Sequence, residues 1–364
     1  MRLLTHIHNL PKLQLRPPPR PVWLSFTYRR SFSTKLPDFG NYNILLPSET
    51  PGPAVNLLSS GLSTKRNVPA DIPRPVYARG QPIKDDPYHG DGWTGDGLIK
   101  LGSEDEQRLR RTARLARDVL EFAGTLIKPG IKTDDIDAAV HEFIVKNRAY
   151  PSPLTYGSFP KSCCTSVNNI IVHGIPDDRP LEDGDIVNID ITVFREDHHG
   201  DTSKTFLVGN VDGPGRHLVS LSTLALEAGI AVCAPGRPFR DIGEAIHEVC
   251  KAADAEALSK HKDSREHDCD SDAWVTSVSP QFTGHGIGEV FHRPPWILHH
   301  RNDEPGFMKP GHCFTIEPAL VQGSDPVGWL FPDDWTVSTT NGARSAQAEH
   351  MVLITENGVD VLTR

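Results

Sequence analysis

The sequence contains one internal repeat, and this repeat restricts the possible folds more than any other feature. Three pairs of matching residues are each separated by 106 positions (235 − 129 for the first): Pro129 and Pro235, Asp135 and Asp241, His141 and His247. Farther along, His173-Gly174-Ile175 resembles His285-Gly286-Ile287. Two halves, each with two helices followed by strands, predict an α+β fold with pseudo-twofold symmetry and a site between the halves.

Local signals predict the first pair of helices. Ser103 and Glu106 have the spacing of a capping box, and an apolar stripe runs from Leu109 to Ile127. Pro129-Gly130 would end this helix. Thr133 is predicted to cap the next one.

The charge of the chain is unevenly distributed. The net charge is −9, but residues 1–40 hold seven Lys or Arg and one acid, so the remainder carries −15 (−9 − 6). A basic, serine-containing start with few acids is typical of an organellar transit peptide. We therefore predict a mitochondrial transit peptide over residues 1–32 and a protein of the mitochondrial matrix. The chloroplast and the cytoplasm are the alternative locations.

Composition divides the rest of the chain. Residues 33–102 are rich in Pro and Gly and are predicted to be an extended arm, and residues 103–364 to be the main folded domain, which would carry any site. The polar, charged stretch 252–272 within that domain is predicted to be an insertion that extends a surface loop.

Composition also excludes several classes of protein. The six cysteines contain no CxxC pair, which argues against a disulfide framework or a zinc finger. No apolar run is long enough to cross a bilayer, so we expect a soluble protein without a membrane partner. Since the chain beyond residue 40 is strongly acidic, we also expect no nucleic-acid partner.

Acidic residues occur where buried strands are expected. Asp190 lies within the apolar run Ile186–Ile191, whose pattern is typical of a strand. A buried carboxylate is costly unless it is paired or holds a metal. A salt-bridged core aspartate would explain Asp190 alone.

Four further residues change this interpretation: Asp201, His285, Glu317 and Glu349 each lie beside glycine or in an apolar run. Four carboxylates and one imidazole need cations, and one divalent ion leaves them under-neutralised. We therefore expect two ions, about 3.5–4 Å apart as in two-metal hydrolases. The oxygen-rich donor set favours Mn, Fe or Co over a structural zinc.

Several motifs follow one another in a fixed order. They are Tyr150-Pro151-Ser152-Pro153-Leu154, Phe159-Pro160-Lys161-Ser162, His173-Gly174-Ile175-Pro176, Thr283-Gly284-His285-Gly286, Phe314-Thr315-Ile316-Glu317-Pro318 and Gln347-Ala348-Glu349-His350. One such motif is a weak signal, but the ordered set is specific. With this set, from about Ile72 to Arg364, the sequence resembles the type 1 methionine aminopeptidases in their organellar form. That family removes the initiator methionine from proteins.

This resemblance implies the pita-bread fold and two divalent ions (Co, Mn, Fe or Zn). The implied ligands are Asp190, Asp201, His285, Glu317 and Glu349, with Asp201 and Glu349 bridging the ions. A hydroxide activated by the two metals would attack the scissile carbonyl, and its proton would pass to Glu317. His292 would stabilise the oxyanion, and His173 would assist the leaving amine.

The same resemblance implies a pocket for the methionine side chain. Its lining would be Tyr156, Phe159, Cys164, Phe291 and Trp335, with a plain core role left open for Phe159 and Phe291. Aromatic and sulfur groups suit a flexible thioether. The resemblance also implies a monovalent cation near Asn168 and Ser345. The substrates would be nascent or newly made proteins with a small second residue, and we expect a monomer.

Two alternatives stay open. A proline-specific aminopeptidase of the same fold would have a longer N-terminal domain, whereas residues 33–102 resemble an arm. A non-catalytic pita-bread binding protein would be expected to have lost ligands, whereas all five candidate ligands and both candidate histidines are present.

Overall fold

The computed structural model describes residues 38–47, 66–79, 97–263 and 269–364, apart from the side chains of residues 261–263. The predicted transit peptide therefore lies outside the described residues, as does most of the predicted arm. The described parts of residues 33–102 contain one short 3₁₀ helix, Val76–Arg79, and no strand.

Two pairs of helices occur in the order that the repeat predicts. They are α1 (Glu104–Leu126) with α2 (Thr133–Lys146), and α3 (Gly213–Ala231) with α4 (Arg240–Asp263). No helix in the described ranges has the length and apolarity that crossing a bilayer requires.

The caps of the first two helices differ from each other. At α1 the side chain of Ser103 accepts a hydrogen bond from the backbone NH of Glu106, as predicted. At α2 the prediction of a Thr133 cap is wrong, because the cap position is Lys132 and no side chain caps this end. The Thr133 hydroxyl instead donates to the backbone oxygen of Asp177, at 3.0 Å.

The described residues include fourteen strands. In chain order they are β1 (Tyr150–Pro151), β2 (Cys164–Val167), β3 (Ile170–Val172), β4 (Ile186–Arg195), β5 (His198–Leu207), β6 (Thr276–Val278), β7 (Thr283–Gly286), β8 (Arg293–Leu298), β9 (Cys313–Ile316), β10 (Ala319–Gln322), β11 (Gly328–Leu330), β12 (Val337–Thr339), β13 (Ser345–Ile354) and β14 (Val359–Val361).

Most of these strands form one large antiparallel sheet. Its main path runs β1-β4-β5-β13-β9-β7-β8, and β2, β10, β14 and β6 pair alongside it. Strands β11, β12 and β3 form a second, small sheet. Strands from the first half (β4, β5) and the second half (β13, β9, β7) thus meet in the middle of one sheet, which places any site there between the halves.

Each helix pair packs on its own part of the large sheet. Ala116 and Val119 of α1 join Ile136 of α2 and Ile189 of β4 in one apolar cluster. Leu221 of α3 joins Ile242 of α4, Phe314 of β9 and Val352 of β13 in another. Burial of one such side chain contributes about 1.5–3 kcal/mol to the stability of the fold, so each cluster holds its helix pair against the sheet.

The predicted surface loop over residues 252–272 is wrong for its first half, because residues 252–263 continue α4. Within this stretch the Asp254 side chain is buried. Its carboxylate accepts from the backbone NH of Thr276 at 2.7 Å and lies 3.3 Å from His217 Nε2. These contacts to α3 and to β6 favour continuation of the helix over a solvated loop.

Candidate metal centre

Five neighbouring strands each bring one predicted ligand to the middle of the large sheet. In sheet order, β4 carries Asp190, β5 carries Asp201, β13 carries Glu349, Glu317 directly follows β9, and β7 carries His285. Strand pairing therefore brings together five residues that span 160 positions of the chain (349 − 190 + 1).

The register of the strands puts the carboxylates on one face. Ser203 of β5 pairs with Asp190 on one side and with Glu349 on the other. Asp201 lies two residues before Ser203 on the same strand, and side chains two apart point to the same face. Asp190, Asp201 and Glu349 thus converge on one place.

His285 is in contact with two of the carboxylates. Its Nε2 atom lies 3.6 Å from Asp201 Oδ2 and 3.5 Å from Glu317 Oε1. Asp201, His285 and Glu349 are all buried, and each offers one ligand atom within 4.8 Å of the other two. This separation of donor atoms is compatible with ions held between them.

Burial and mutual repulsion shift the pKa values of these groups. Burial raises the pKa of Asp190 to about 7 and that of Glu317 to about 8. The pKa values of Asp201 and Glu349 are also raised, first by burial and then by neighbouring carboxylates. Burial lowers the pKa of His285 to about 4, which leaves a neutral imidazole able to act as a ligand.

The donor set fits divalent metal ions. Among the described residues, no Lys or Arg pairs with these carboxylates, and the basic side chain in contact with Asp201 and Glu317 is the neutral ring of His285. Asp190 Oδ1 is buried and has no hydrogen-bond partner in the described part of the chain. Such a group needs a cation, and four carboxylates with one imidazole suit divalent ions that accept oxygen and nitrogen ligands.

Several side chains that hold the ligands in place were missed by the sequence analysis. Thr192 donates to Asp201 Oδ1 at 2.7 Å. Thr315 donates to Glu317 Oε1 at 2.8 Å, and Gln347 donates to Glu317 Oε2 at 3.1 Å. Each lies two residues from a ligand on a strand or strand end, so the alternation of side chains could have identified them.

His292 is held beside the ligands by aromatic neighbours. Its Nδ1 atom lies 2.8 Å from the hydroxyl of Tyr156, and its ring centroid is 4.2 Å from that of His285. The rings of Tyr156 and Phe291 are 4.9 Å apart. Tyr156, Phe291 and His292 therefore form one group next to His285, one of the predicted metal ligands.

A second group contains His173. Its ring lies 5.6 Å from that of Trp335, which in turn is 5.2 Å from that of Phe159. The backbone of His173 has a positive φ of 59°, which a non-glycine residue rarely adopts. Burial lowers the pKa of His173 to about 4, so the ring is neutral at neutral pH.

Cys164 lies directly beside Asp190, one of the predicted metal ligands. It pairs with Asp190 across β2 and β4 and is buried. Burial, followed by the charges of Asp190 and other acids, raises the pKa of its thiol well above the ordinary value. The side chain is therefore an uncharged thiol, consistent with an apolar lining.

His199 is a further buried group that the sequence analysis did not single out. Its ring stacks on Phe291 at 5.0 Å, and its Nδ1 atom lies 2.8 Å from the hydroxyl of Ser152. Its backbone NH donates to the oxygen of Gly288 at 2.7 Å. His199 thus supports the loop that leads to His292.

Asn168 and Ser345, the predicted cation neighbours, are adjacent. The backbone NH of Ser345 donates to the backbone oxygen of Asn168 at 2.8 Å. The side-chain amide of Asn168 donates to Asp185 Oδ1 at 2.6 Å, and its oxygen accepts from the backbone NH of Ile186 at 3.0 Å. The Ser345 hydroxyl donates to the oxygen of Leu320 at 2.8 Å.

Comparison with known proteins agrees with this geometry. The model of metallopeptidase family M24 matches residues 107–356. Methionine aminopeptidase 1D, chloroplastic/mitochondrial, of Arabidopsis thaliana is 44% identical over 86% of this chain and 81% of its own length. Methionine aminopeptidase 1D, mitochondrial, of Mus musculus is 45% identical over 84% and 82%.

A solved methionine aminopeptidase structure has the same fold as this chain. The methionine aminopeptidase of Rickettsia prowazekii superposes with a TM-score of 0.64 and 38% identity, covering 73% of this chain and 100% of its own. The predicted α+β pita-bread fold and the resemblance to methionine aminopeptidases are confirmed. The chain belongs to metallopeptidase family M24, within its methionine aminopeptidases.

Proposed function

We propose that this protein removes the N-terminal initiator methionine from proteins whose second residue is small. The observation that carries the proposal is the convergence of Asp190, Asp201, Glu317 and Glu349 with His285 at the middle of the sheet. The relatives at 44–45% identity are named methionine aminopeptidases, which supports the same reaction here.

We propose that Asp190, Asp201, His285, Glu317 and Glu349 would hold two divalent ions. Asp201 is held by Thr192, and Glu349 lies on the neighbouring strand, so both carboxylates lie at the centre of the proposed ligand set. When bound, the ions would supply a polarised scissile carbonyl and an acidified water molecule.

Glu317 is the proposed proton acceptor. Thr315 and Gln347 donate to its two oxygens, and its backbone NH donates to His299 Nε2 at 3.0 Å. These contacts fix the carboxylate while leaving lone pairs available to accept a proton from the attacking water. The same carboxylate can then return that proton to the leaving amine.

The two histidines have separate proposed roles. Tyr156 can donate to Nδ1 of His292, which places the ring proton on Nε2 for a hydrogen bond to the developing oxyanion. The neutral ring of His173, held edge-on against Trp335, is proposed to contact the scissile nitrogen and assist its departure.

The methionine side chain is proposed to bind between the two aromatic groups. Tyr156 and Phe291 would form one wall, Phe159 and Trp335 another, and Cys164 the floor beside Asp190. Tyr156 and Trp335 are partly exposed, so a substrate can reach them, whereas Phe159 is 1% exposed and supports Trp335 from behind. Aromatic faces and a neutral thiol favour a thioether over a charged side chain.

Co, Mn, Fe and Zn are all compatible with the proposed donor set. We also propose a monovalent cation near Asn168 and Ser345. Their backbone oxygens would be the ligands, because both side chains are engaged in hydrogen bonds and the Asn168 oxygen, which accepts one hydrogen bond from Ser345, keeps a second lone pair. We further propose that the enzyme acts as a monomer on newly made proteins in the mitochondrial matrix, a location supported by the names of its relatives.

The proposal is tested with peptides and the full chain. After chelation and re-addition of Mn, Fe, Co or Zn, the protein should release Met from Met-Ala-Ser and leave Ala-Pro peptides intact. Replacing the second residue by a large one should reduce the rate, because the substrate would clash next to the scissile bond. Release from Xaa-Pro peptides alone would identify a proline-specific enzyme, and no release with any metal would indicate a binding protein.

A further inference from the structure

A second cluster of potential metal ligands lies outside the metal centre. It combines Asp105 in the first turn of α1, His198 at the start of β5 and Glu289 in the loop after β7. Each side chain offers one ligand atom within 4.8 Å of the other two. None of the three belongs to the five ligands of the proposed catalytic ions.

A tight turn fixes the position of His198. Strands β4 and β5 are joined by Glu196 and Asp197, which both have positive φ, 51° and 62°, as a two-residue type I′ turn requires. The ring of His198 is fully buried, and its Nδ1 atom lies 2.9 Å from the backbone oxygen of Glu196. Because a carbonyl oxygen only accepts, Nδ1 must carry a proton.

The other ring nitrogen of His198 points into the cluster without a hydrogen bond. Its Nε2 atom is buried and has no hydrogen-bond partner among the residues that the structure describes. The nearest carboxylate oxygen, Asp105 Oδ1, lies 3.3 Å away. A neutral imidazole would direct the Nε2 lone pair at a carboxylate that also only accepts, so this place needs a cation.

Two cations could meet this need: a proton on Nε2 or a metal ion. A proton would neutralise one carboxylate and leave the second, Glu289, beside Asp105. One imidazole and two carboxylates are a donor set that binds zinc, and the Glu196 carbonyl would orient the ligating ring. The N-terminus of α1 carries about half a positive elementary charge from the helix dipole, which disfavours a cation there. The two negative charges of Asp105 and Glu289 outweigh this effect.

We propose that Asp105, His198 and Glu289 form a separate binding site for one divalent ion of the zinc type. An ion there would join α1, the β4–β5 turn and the loop after β7. That loop runs between two site residues, His285 and His292, so the ion would limit its motion from outside the catalytic centre.

Equilibrium dialysis of the full chain against micromolar free Zn²⁺ tests the proposal. The variants Glu289→Gln and Asp105→Asn change exposed or half-exposed side chains and avoid the buried His198. Glu304→Gln, also exposed, is the matched control. Wild type and the control should each bind one Zn²⁺ more per chain than the two variants.

Equal zinc content in all four proteins would overturn the proposal. A crystal grown with Zn²⁺ gives a second, independent readout. An anomalous peak beside His198 Nε2 should appear in wild type and disappear in Glu289→Gln. Peaks at the five-ligand centre report separately on the proposed function, so failure of one proposal is distinguishable from failure of the other.

Discussion

The change Glu317→Gln removes the proposed proton acceptor while keeping the shape of the side chain. The Thr315 hydroxyl can turn to accept from the new amide, and the amide oxygen can accept from Gln347. The cost to folding should therefore be about one hydrogen bond, roughly 1 kcal/mol. In the metal-free protein this cost is offset by removal of a carboxylate that lies among like charges.

Activity should respond much more strongly. Loss of a general base costs about 10²–10⁴ in rate, which corresponds to roughly 3–5 kcal/mol of transition-state stabilisation. The assay is the initial rate of Met release from Met-Ala-Ser at saturating metal, so that weaker metal binding is not mistaken for a catalytic loss. The thermal midpoint of the chelated protein measures folding, and Glu304→Gln is the control for the substitution itself.

Wild-type turnover by a folded, metal-loaded Glu317→Gln protein would refute the assignment of the base. A loss of activity accompanied by unfolding would instead show that the site cannot tolerate the amide. The predicted result is a folded protein that binds metal and turns over very slowly.

Two other changes test the surroundings of the site. Tyr156→Phe keeps the ring but removes the hydroxyl that lies 2.8 Å from His292 Nδ1. Loss of this hydrogen bond, worth roughly 1.4 kcal/mol, should lower kcat about tenfold and leave KM little changed. An unchanged kcat would contradict the role of Tyr156. Chelated protein should lose thermal stability as the pH rises from the ordinary carboxylate range towards 8. Burial raises the folded-state pKa of Glu317 to about 8, so over this pH range the native state binds more protons than the unfolded state. Divalent metal should abolish this loss, and a midpoint that rises with pH after chelation would contradict it.

The helices were predictable where their signals are local. Ser103 caps α1 because its partner, Glu106, is three residues away and the contact depends on little else. Thr133 failed as a cap because its hydroxyl is engaged by Asp177, 44 positions away. The extension of α4 was missed for a similar reason, since Asp254 is buried by contacts with His217 and Thr276.

The candidate ligands could be picked out from the sequence, whereas the contacts that support them could not. A carboxylate in an apolar strand, such as Asp190, is conspicuous because its burial is costly. Alternation along the strands places Thr192 and Gln347 on the same face as the candidate ligands, but only the pairing of strands shows that they donate to Asp201 and Glu317. The contact between Tyr156 and His292 joins residues 136 positions apart, and no pattern in the sequence predicts it.

The most direct test of the account is a metal titration of the chelated full chain with Met-Ala-Ser as substrate. Met release should be absent without metal and should rise with added Mn²⁺, Fe²⁺ or Co²⁺ until the five-ligand centre is filled. Asp201→Asn should not recover at the same metal concentration, because it replaces one of the proposed ligands. Met release that survives complete chelation would contradict the central claim.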